Sequence, residues 1–380
     1  MKVLSLSLDP LVLQKESVVA SRCIRYGTIV DLYTVIVPSS KSDIVVHSST
    51  CTAYGTGGTN KLSQLFSLWH IATVLIKKDS YDVVSSQDTY FLGLTAWLLA
   101  KRYHLGLEVQ VLGIEKMNSL RRLLTKFVLT KAGSIRVLSL GLKKRLMQEF
   151  SILDTRMLLV PIYVDVSSLG FSNDNPTQEL QDKLDQNSKS FKEYYGGRFN
   201  IISVNRLVPI KNIPMQLEAM AVLKEKFPQI LLHIIGDGPL QAELQKSIHE
   251  KSLDDTVILH GFKSGADLSP FFTQSDCFVL TSNFEGYGMV VIEAATASLP
   301  IVMTDVGCAG EVIIDQESGL IVPPLDTVAF TDALERMIED QVFRTAVVKG
   351  AQASIALLPS FDTVLAKYKA SWEQALANKL

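Results

Sequence analysis

The sequence has few of the residues that mark metal sites and disulfide frameworks. Its four cysteines (Cys23, Cys51, Cys277 and Cys308) lie far apart and form no CxxC pair, which argues against a disulfide framework. The six histidines include no pair at metal-ligand spacing. We therefore expect no bound metal, and the cysteine usage fits a reducing cytoplasm.

Long apolar runs and a strong net charge are also absent. The run FLGLTAWLLA stops at Lys101 after 10 residues, which is about half the length that a helix needs to cross a bilayer. Asp9 interrupts the apolar N-terminal stretch too early for a signal peptide. The formal net charge is −2, so nothing global points to nucleic acid. These observations predict a cytoplasmic protein.

Short β-rich runs alternate with helical patterns along all 380 residues. The runs are rich in Ile, Val and Leu, as expected for parallel strands that are covered on both faces. Two such series are present, and the right-handed crossover rule predicts a doubly wound α/β domain for each. The first series is assigned to a domain over 1–166, a polar linker follows over 167–198, and the second domain covers 199–360.

The stretch EGYGMVVIEA places two carboxylates eight positions apart, Glu285 in a loop after a strand and Glu293 in a helix that begins near Gly288. The first backbone N–H groups of that helix have no intrahelical partner, so they favour an anion. Gly286 and Gly288 lack a Cβ and allow a ligand close to the backbone. The pattern fits a diphosphate between two hydroxyl-binding carboxylates. Ordinary surface glutamates remain an equal alternative from these residues alone.

A second candidate anion site lies in SVNRLVPIKNIPMQLEAM. Arg206 and Lys211 occupy the loop between a strand and a helix, with Asn212 as the expected N-cap and Pro214 in the first turn. Two cations beside a helix N-terminus can hold a phosphate. A solvated loop with two ordinary charges is the alternative. Both candidate sites follow strands of the same domain, where parallel sheets bind ligands.

Two weaker signals lie at other junctions of the second domain. Gly236 belongs to GDG, whose glycines either shape a turn or admit a ligand to the backbone, and Phe262 ends HGF after the next strand.

At these positions the second half resembles the family 4 glycosyltransferases, which have the GT-B fold of two Rossmann-like domains facing across a cleft. The order and spacing agree over about residues 200–325, in the segments NRLVPIK, GDGPL, HGF, EGYGMVVIEA and TDVGCAGEVI. The E-x7-E glutamate pair is the most specific of these motifs. The resemblance implies a retaining, metal-independent transferase that uses a nucleotide-diphosphate sugar, with UDP- or GDP-sugar as co-substrate and no resident cofactor.

The resemblance also implies roles for individual residues. It places Arg206 and Lys211 on the diphosphate, Glu285 on donor-sugar hydroxyls and Glu293 on the ribose. The donor-binding set further comprises Gly286, Tyr287, Gly288, Met289, Val290, Gly236 and, for the base, the residues around Phe262. The stretch FDTVLAKYKASWEQAL is similar to the family's last helix, so residues 361–380 are expected to cross back to the first domain.

The first half is similar to bacterial enzymes of surface-polysaccharide synthesis through YDVVSSQDTYFLGLTAWLLAKRY and LLVPIYVDV. It departs from the family pattern in two places. LDPLVLQKES follows the first strand without the family's glycines, and Leu112, Gly113 and Ile114 stand where many members carry a histidine. Gln87 and Asp88 follow a strand and are expected on the acceptor side, with capping of the next helix as the alternative for Asp88.

Residues 101–145 carry eleven Lys or Arg against Glu108 and Glu115, a local charge of +9. Within LRRLLTKFVLTKAG, Leu120, Leu123, Leu124, Phe127 and Val128 alternate with basic residues in a helical pattern. Such a surface can bind anionic lipid, which would place the protein peripherally on the inner face of the membrane. A solvated basic face is the alternative. Nucleic acid is disfavoured because no aromatic stacking platform accompanies the charge.

The sequence favours transfer of a sugar to an acceptor glycan or lipid-linked glycan. Two other functions fit part of the pattern: a nucleotide-sugar epimerase on the same fold, and a non-catalytic nucleotide-sugar binder. An epimerase needs acid and base groups around the sugar, and the first half shows no clear set of them. The missing histidine is compatible with a binder.

Overall fold

The computed structural model describes residues 1–113, 117–163 and 178–380, without the side chains of 178–180. The chain divides into two compact units, residues 1–161 with 359–380 and residues 162–358. The predicted boundary at 166–167 lies outside the described residues, as do Ile114, Glu115 and Lys116. Within the described ranges, no helix has both the length and the apolar character that crossing a bilayer requires.

The first unit is built on an eight-stranded sheet, counted over the described residues, in the order β3-β4-β2-β1-β5-β6-β7-β8. Its strands are β1 (Lys2–Leu6), β2 (Leu32–Val37), β3 (Ile44–Ser48), β4 (Cys51–Gly55), β5 (Val83–Ser86), β6 (Gly106–Val111), β7 (Ser134–Val137) and β8 (Met157–Leu159). All neighbouring pairs are parallel except the β3–β4 hairpin at the edge. The sequence analysis did not identify this hairpin, because its outer strand is short and half-exposed.

Helices connect the parallel strands of the first unit. They are α1 (Val18–Gly27), α2 (Lys61–Asp79), α3 (Phe91–Tyr103), α4 (Ser119–Lys131) and α5 (Leu140–Phe150). Four of them begin after a Ser or Asn whose side chain accepts a hydrogen bond from a backbone N–H of the first turn: Ser17, Asn60, Asn118 and Ser139. These caps satisfy N–H groups that a helix start leaves open, and so they define where α1, α2, α4 and α5 begin.

The second unit contains a six-stranded parallel sheet, again over the described residues, in the order β11-β10-β9-β12-β13-β14. Its strands are β9 (Phe199–Val204), β10 (Ile230–Ile235), β11 (Val257–Leu259), β12 (Cys277–Leu280), β13 (Ile301–Thr304) and β14 (Leu320–Val322). The helices from this unit to the end of the chain are α6 (Gln178–Tyr195), α7 (Ile213–Lys226), α8 (Gln241–Glu250), α9 (Ser269–Gln274), α10 (Met289–Thr296), α11 (Thr327–Glu339), α12 (Gln341–Ala356) and α13 (Phe361–Ala377). Two parallel-sheet domains of the predicted α/β class are thus confirmed.

Helix α6 lies within the segment that the sequence predicts as a polar linker. It packs against α9 in the second unit, where Phe191 is 5% exposed and contacts the ring of Phe271 at 5.4 Å between centroids. Most residues of this helix are polar, and its packing relies on aromatic residues near its end. The sequence pattern therefore indicates a polar segment, whereas the structure has a packed helix.

Helix α13 packs within the first unit on strands β5 to β8. Its Trp372 is fully buried, and its Ser371 lies 3.0 Å from Ser134 of β7, hydroxyl to hydroxyl. Beneath it lies an ion pair that is almost completely buried, between Arg136 Nε and Glu108 Oε1 at 3.3 Å. The Arg136 guanidinium also stacks on Tyr368 of α13 at 3.7 Å from the ring centroid.

We expect Glu108→Gln to lower the free energy of unfolding by about 3–5 kcal/mol, because it leaves the Arg136 charge buried without a counter-charge. Urea unfolding followed by circular dichroism measures the change. Glu149→Gln is the matched control, since Glu149 pairs with Arg122 and Arg145 at the surface, where ion pairs contribute only about 0–1 kcal/mol. Equal losses in the two variants would contradict this assignment.

Candidate functional site

The candidate site lies where β9 and β12 end side by side. The two strands are parallel neighbours, so the loops that follow them leave the sheet at the same edge. A backbone hydrogen bond joins these loops, from Asn283 N to Ile210 O at 2.8 Å. The Thr281 hydroxyl adds bonds to the carbonyls of Lys211 and Asn212, at 3.0 and 3.1 Å. The two motifs identified in the sequence are therefore tied together.

Lys211 and Glu285, which the sequence places 74 positions apart, form an ion pair. Their side chains are 18% and 13% exposed. The Ser282 hydroxyl donates a second hydrogen bond to the same carboxylate, at 2.7 Å. In this structure the Glu285 carboxylate thus neutralises the charge of Lys211. The family resemblance implies that the same lysine binds the diphosphate of the donor.

Arg206 lies on the same loop with its side chain exposed. Its guanidinium has no ion-pair or hydrogen-bond partner within the part of the chain that the structure describes, so its charge is available to an anion.

The expected cap at Asn212 differs in detail from the prediction. Asn212 does stand at the N-cap of α7, but it adopts a left-handed conformation with φ of 47° and its side chain makes no capping bond. The amide instead donates to Met215 Sδ at 3.4 Å. A short 3-10 turn over Pro209–Lys211 leads into the helix and sets this backbone geometry.

Helix α10 begins where the sequence predicts, after Gly288. Gly288 has a φ of +84°, in the left-handed region that favours glycine. The Val291 N–H donates a hydrogen bond to Gly288 O at 2.9 Å. The N–H groups of Met289 and Val290 lie in the first turn, where a helix provides no acceptor for them. These two groups are the donors that the helix start can offer to an anion.

Tyr287 contributes only its backbone to this loop. Its side chain is 4% exposed, and burial raises the pKa of its hydroxyl. Its ring packs inward beneath the loop, so the predicted donor-binding role of Tyr287, which stays a prediction, would fall to its backbone.

Gly307 is a site residue that the sequence analysis missed. It follows β13 with a φ of +62°, and a Cβ there would lie 2.5 Å from Tyr287 O and 3.0 Å from Glu285 Cβ. Only glycine lets this third loop approach the 285–288 loop. The motif TDVGCAGEVI includes Gly307, but the sequence does not show that this position lies against the 285–288 loop.

Glu293 lies on the second turn of α10, as predicted. It is half-buried, and its carboxylate has no hydrogen-bond partner among the described residues. Burial raises the pKa of its carboxyl group. A ligand hydroxyl at this position would satisfy an acceptor that has no protein donor.

Gly236 and Phe262 have different environments. A Cβ at Gly236 would lie 1.8 Å from Asn205 O, so this glycine allows the loops after β9 and β10 to touch. Its N–H is bonded to Gly261 O at 2.9 Å. The structure thus supports the turn-forming alternative for Gly236. Phe262 is 76% exposed and its ring is open to a ligand.

Gln216 is a second residue that the sequence analysis missed. Its side chain on α7 is 1% exposed, and its amide nitrogen donates to Ser203 Oγ and Thr281 Oγ1, both at 2.9 Å. Through Thr281 it supports the Lys211 loop. A lone Gln in a helical pattern gives no signal for this role.

Gln87 and Asp88 belong to the first unit. Gln87 accepts a hydrogen bond from the Ser7 hydroxyl at 2.6 Å. Asp88 accepts from the N–H groups of Tyr90 and Gly93, at 2.6 and 3.3 Å, so it caps α3 as the alternative reading of the sequence proposed. Burial raises the pKa of its carboxyl group.

The basic residues of segment 101–145 differ in how far their charge is exposed at the surface of the first unit. Arg136 and Glu108 are buried in the sheet, and Arg122, Lys143 and Arg145 pair with acidic neighbours. Two leucines assigned to the apolar side of α4, Leu120 and Leu123, are 66% and 67% exposed.

No group of three or more His, Cys, Asp or Glu residues in the described ranges could hold a metal ion.

Residues 185–354 match the family model described as "Glycosyl transferases group 1". Alpha-D-kanosaminyltransferase from Streptomyces kanamyceticus is 32% identical over 162 residues, 42% of each chain. An N-acetylgalactosamine-N,N'-diacetylbacillosaminyl-diphospho-undecaprenol 4-alpha-N-acetylgalactosaminyltransferase from Campylobacter jejuni is 30% identical over 236 residues, 60% of this chain and 58% of that protein. The matches thus span roughly half the length of these relatives.

The crystal structure of HepE from Anabaena in complex with UDP superposes with a TM-score of 0.75 at 16% identity, covering 98% of this chain and 100% of that chain. At this identity the likeness concerns the fold, and it agrees with the two Rossmann-like domains that the motifs predict. Residues 185–354 are thus similar to the glycosyl transferases group 1 family, and the fold agrees with the two Rossmann-like domains expected from the resemblance to the family 4 glycosyltransferases.

Proposed function

We propose that this protein transfers a sugar from a nucleotide-diphosphate sugar to an acceptor glycan or lipid-linked glycan, with retention of anomeric configuration. The Lys211–Glu285 ion pair carries the proposal, because it joins the two predicted motifs beside the start of α10 and the exposed Arg206. The names of the relatives and the UDP-bound HepE structure support the same reaction class.

Donor binding is proposed to exchange the partners of this ion pair. The diphosphate would take Lys211, Arg206 and the open N–H groups at the start of α10, since charge-assisted hydrogen bonds to phosphate are strong. Glu285 would then accept hydrogen bonds from donor-sugar hydroxyls, and Glu293 from the ribose. After the exchange, the diphosphate would neutralise Lys211, while the Ser282 hydroxyl and the sugar hydroxyls would donate hydrogen bonds to the Glu285 carboxylate.

In the chemical step, the bond between the anomeric carbon and the diphosphate oxygen breaks, and a bond from that carbon to the acceptor oxygen forms on the same face. The acceptor hydroxyl passes its proton to the leaving diphosphate. Arg206, Lys211 and the α10 dipole would stabilise the negative charge that develops there. We assign no covalent nucleophile, no metal and no resident cofactor to this reaction.

The acceptor side is proposed for the first unit, with Gln87 and Asp88 as candidate contacts. A lipid-linked acceptor is supported by the Campylobacter relative, whose name specifies a diphospho-undecaprenol substrate. The basic segment 101–145 would hold the protein on anionic lipid at the inner face of the membrane, and the exposed leucines of α4 fit such an interface.

Incubation with labelled UDP- and GDP-sugars and a lipid extract tests the reaction class. Label in a glycan or lipid product supports transfer, whereas an isomerised donor would indicate an epimerase, and binding without turnover would indicate a sugar-nucleotide binder.

Lys211→Ala should weaken UDP binding by roughly 10- to 150-fold, the equivalent of about 1.5–3 kcal/mol for a charge-assisted hydrogen bond. Isothermal titration calorimetry measures the affinity. Lys246→Ala removes an exposed lysine of the same unit, on α8, and should leave it unchanged. Equal UDP affinity in wild type and Lys211→Ala would remove Lys211 from the donor site.

Glu285→Gln and Glu293→Gln should differ in their kinetics. The first should lower kcat while UDP still binds, because it removes a contact to the reacting sugar and frees Lys211 for phosphate. The second should mainly raise the KM for the donor, since contacts to the ribose change little along the reaction. Steady-state kinetics with a labelled donor separates the two patterns, and the reverse pattern would exchange the two assignments.

Replacing Arg121, Arg122 and Lys126 with Gln should reduce sedimentation with anionic vesicles, since each basic residue near such a surface contributes about 1 kcal/mol. Salt should weaken the wild-type interaction, and neutral vesicles should bind less. The control replaces Lys15, Lys77 and Lys78, which are exposed residues of the same unit, and keeps the charge change equal. Equal losses in both variants would show a non-specific charge effect.

A further inference from the structure

The sheet of the first unit ends in a strand whose outer edge is unpaired. Among the described residues, β3 pairs only with β4, and it is the first strand in the sheet order. Its sequence IVVHS contains no proline and no Lys, Arg, Asp or Glu. Natural proteins often protect an exposed edge with such residues, because its free backbone groups pair readily with another strand. Strand β3 therefore presents an edge that can accept a partner.

The hydrogen bonds to β4 show which backbone groups of β3 point outward. Gly55 N donates to Asp43 O at 2.7 Å, which makes Asp43 and Gly55 a hydrogen-bonded pair. In an antiparallel ladder, such pairs alternate with pairs that exchange no hydrogen bonds. Val45 is the next bonded residue along β3. The N–H and C=O groups of Ile44 and Val46 therefore point away from β4.

The same two residues expose their apolar side chains. Ile44 is 67% exposed and Val46 is 61% exposed. Because successive side chains of a strand alternate, both lie on one face of the sheet, while Val45 lies on the other. The one irregularity in the β3–β4 pairing falls between Val46 and Ser48, so Ile44–Val46 keeps regular pairing. Outward backbone groups and exposed β-branched side chains thus belong to one short segment.

A second copy of the strand fits this edge in one particular register. Antiparallel pairing about a two-fold axis at Val45 sets Ile44 of each copy opposite Val46 of the other, so the outward groups of both residues are used. An axis at Ile44 or at Val46 would instead pair one of these two residues with Ser42 or Ser48. The Val45 axis also brings β-branched side chains into cross-strand contact, which stabilises a sheet.

The residues at the two ends of β3 agree with the same register. With the axis at Val45, Asp43 of each copy lies beside His47 of the other. Asp43 is exposed, and its carboxylate has no partner among the described residues. His47 Nε2 lies 2.7 Å from Val12 O, which can only accept, so the Nδ1 atom remains for a second partner. A carboxylate beside an imidazole, which can carry positive charge, makes the two copies complementary.

We propose that this protein forms a homodimer in which two copies pair their β3 strands antiparallel about Val45. A second copy suits the edge better than an unrelated strand, because one two-fold register joins the outward backbone groups, the exposed side chains and the Asp43 and His47 groups at once. The contact involves only the five residues of each β3 strand and their neighbours, so it belongs to the small, weak interfaces. We therefore expect a reversible dimer with a micromolar dissociation constant.

Sedimentation equilibrium of the full chain tests the dimer. Wild type should show a monomer–dimer equilibrium that depends on concentration. Val46→Pro should raise the dimer dissociation constant about tenfold or more, because it removes one outward N–H from each copy. The ladder to β4 does not use this N–H, and edge strands tolerate proline. A wild-type monomer at every accessible concentration, or a dimer that Val46→Pro leaves unchanged, would overturn the proposal.

Val46→Lys is the second variant if thermal unfolding shows that Val46→Pro does not fold. A lysine on an edge strand opposes pairing with another edge, so the dimer should again weaken about tenfold or more. Val342→Lys is the matched control, because it adds the same charge at a valine of the second unit that is 82% exposed. It should keep the wild-type dissociation constant. Equal weakening by the two lysine variants would overturn the proposal.

Asp43→Lys and His47→Glu test the register. Each variant alone should dimerise about fivefold or more weakly, because like charges then lie beside each other at both ends of the paired strands. An equimolar mixture should recover the wild-type affinity, since the new lysine of one chain meets the new glutamate of the other and one Asp43–His47 contact is kept. Sedimentation with one variant fluorescently labelled measures this recovery. A mixture that dimerises as weakly as the separate variants would overturn the proposal.

Discussion

The hydrogen bond from Asn283 N to Ile210 O is the contact on which the candidate site depends. It joins the loops after β9 and β12, which are neighbours only because the sheet order places two strands that are distant in sequence side by side. Lys211 and Glu285 can then meet. The Thr281 and Gln216 side chains support the same loop from inside the unit, where their hydrogen bonds are shielded from water.

Charge balance explains how such a site can exist before a ligand arrives. A partly buried lysine and carboxylate are each costly to desolvate alone, and together they compensate one another. Arg206 remains exposed, where its charge is solvated at little cost. The site therefore holds its binding groups in place without a large unpaired charge. In the proposed function, an incoming anion replaces Glu285 as the partner of Lys211.

Buried polar groups serve two different purposes in the two units. In the first, the Glu108–Arg136 pair joins β6 to β7, and the stacking of Arg136 on Tyr368 joins both strands to α13. In the second, hydrogen bonds join Asn200 of β9, His233 of β10 and His260, which follows β11. The first arrangement compensates buried charge, while the second satisfies neutral polar groups within the sheet.

The sequence by itself determined the fold class, the helix starts near Asn212 and Gly288 and the two loops that carry Lys211 and Glu285. These follow from strand composition, caps and local motifs, which act over a few residues. Tertiary structure alone decided that Lys211 pairs with Glu285, that Tyr287 points inward and that Gly307 must lack a Cβ. It also revealed the packed helix α6 within a polar segment. Each of these features depends on which elements pack side by side. Packing between residues far apart in the chain sets that arrangement, and a local sequence pattern does not show it.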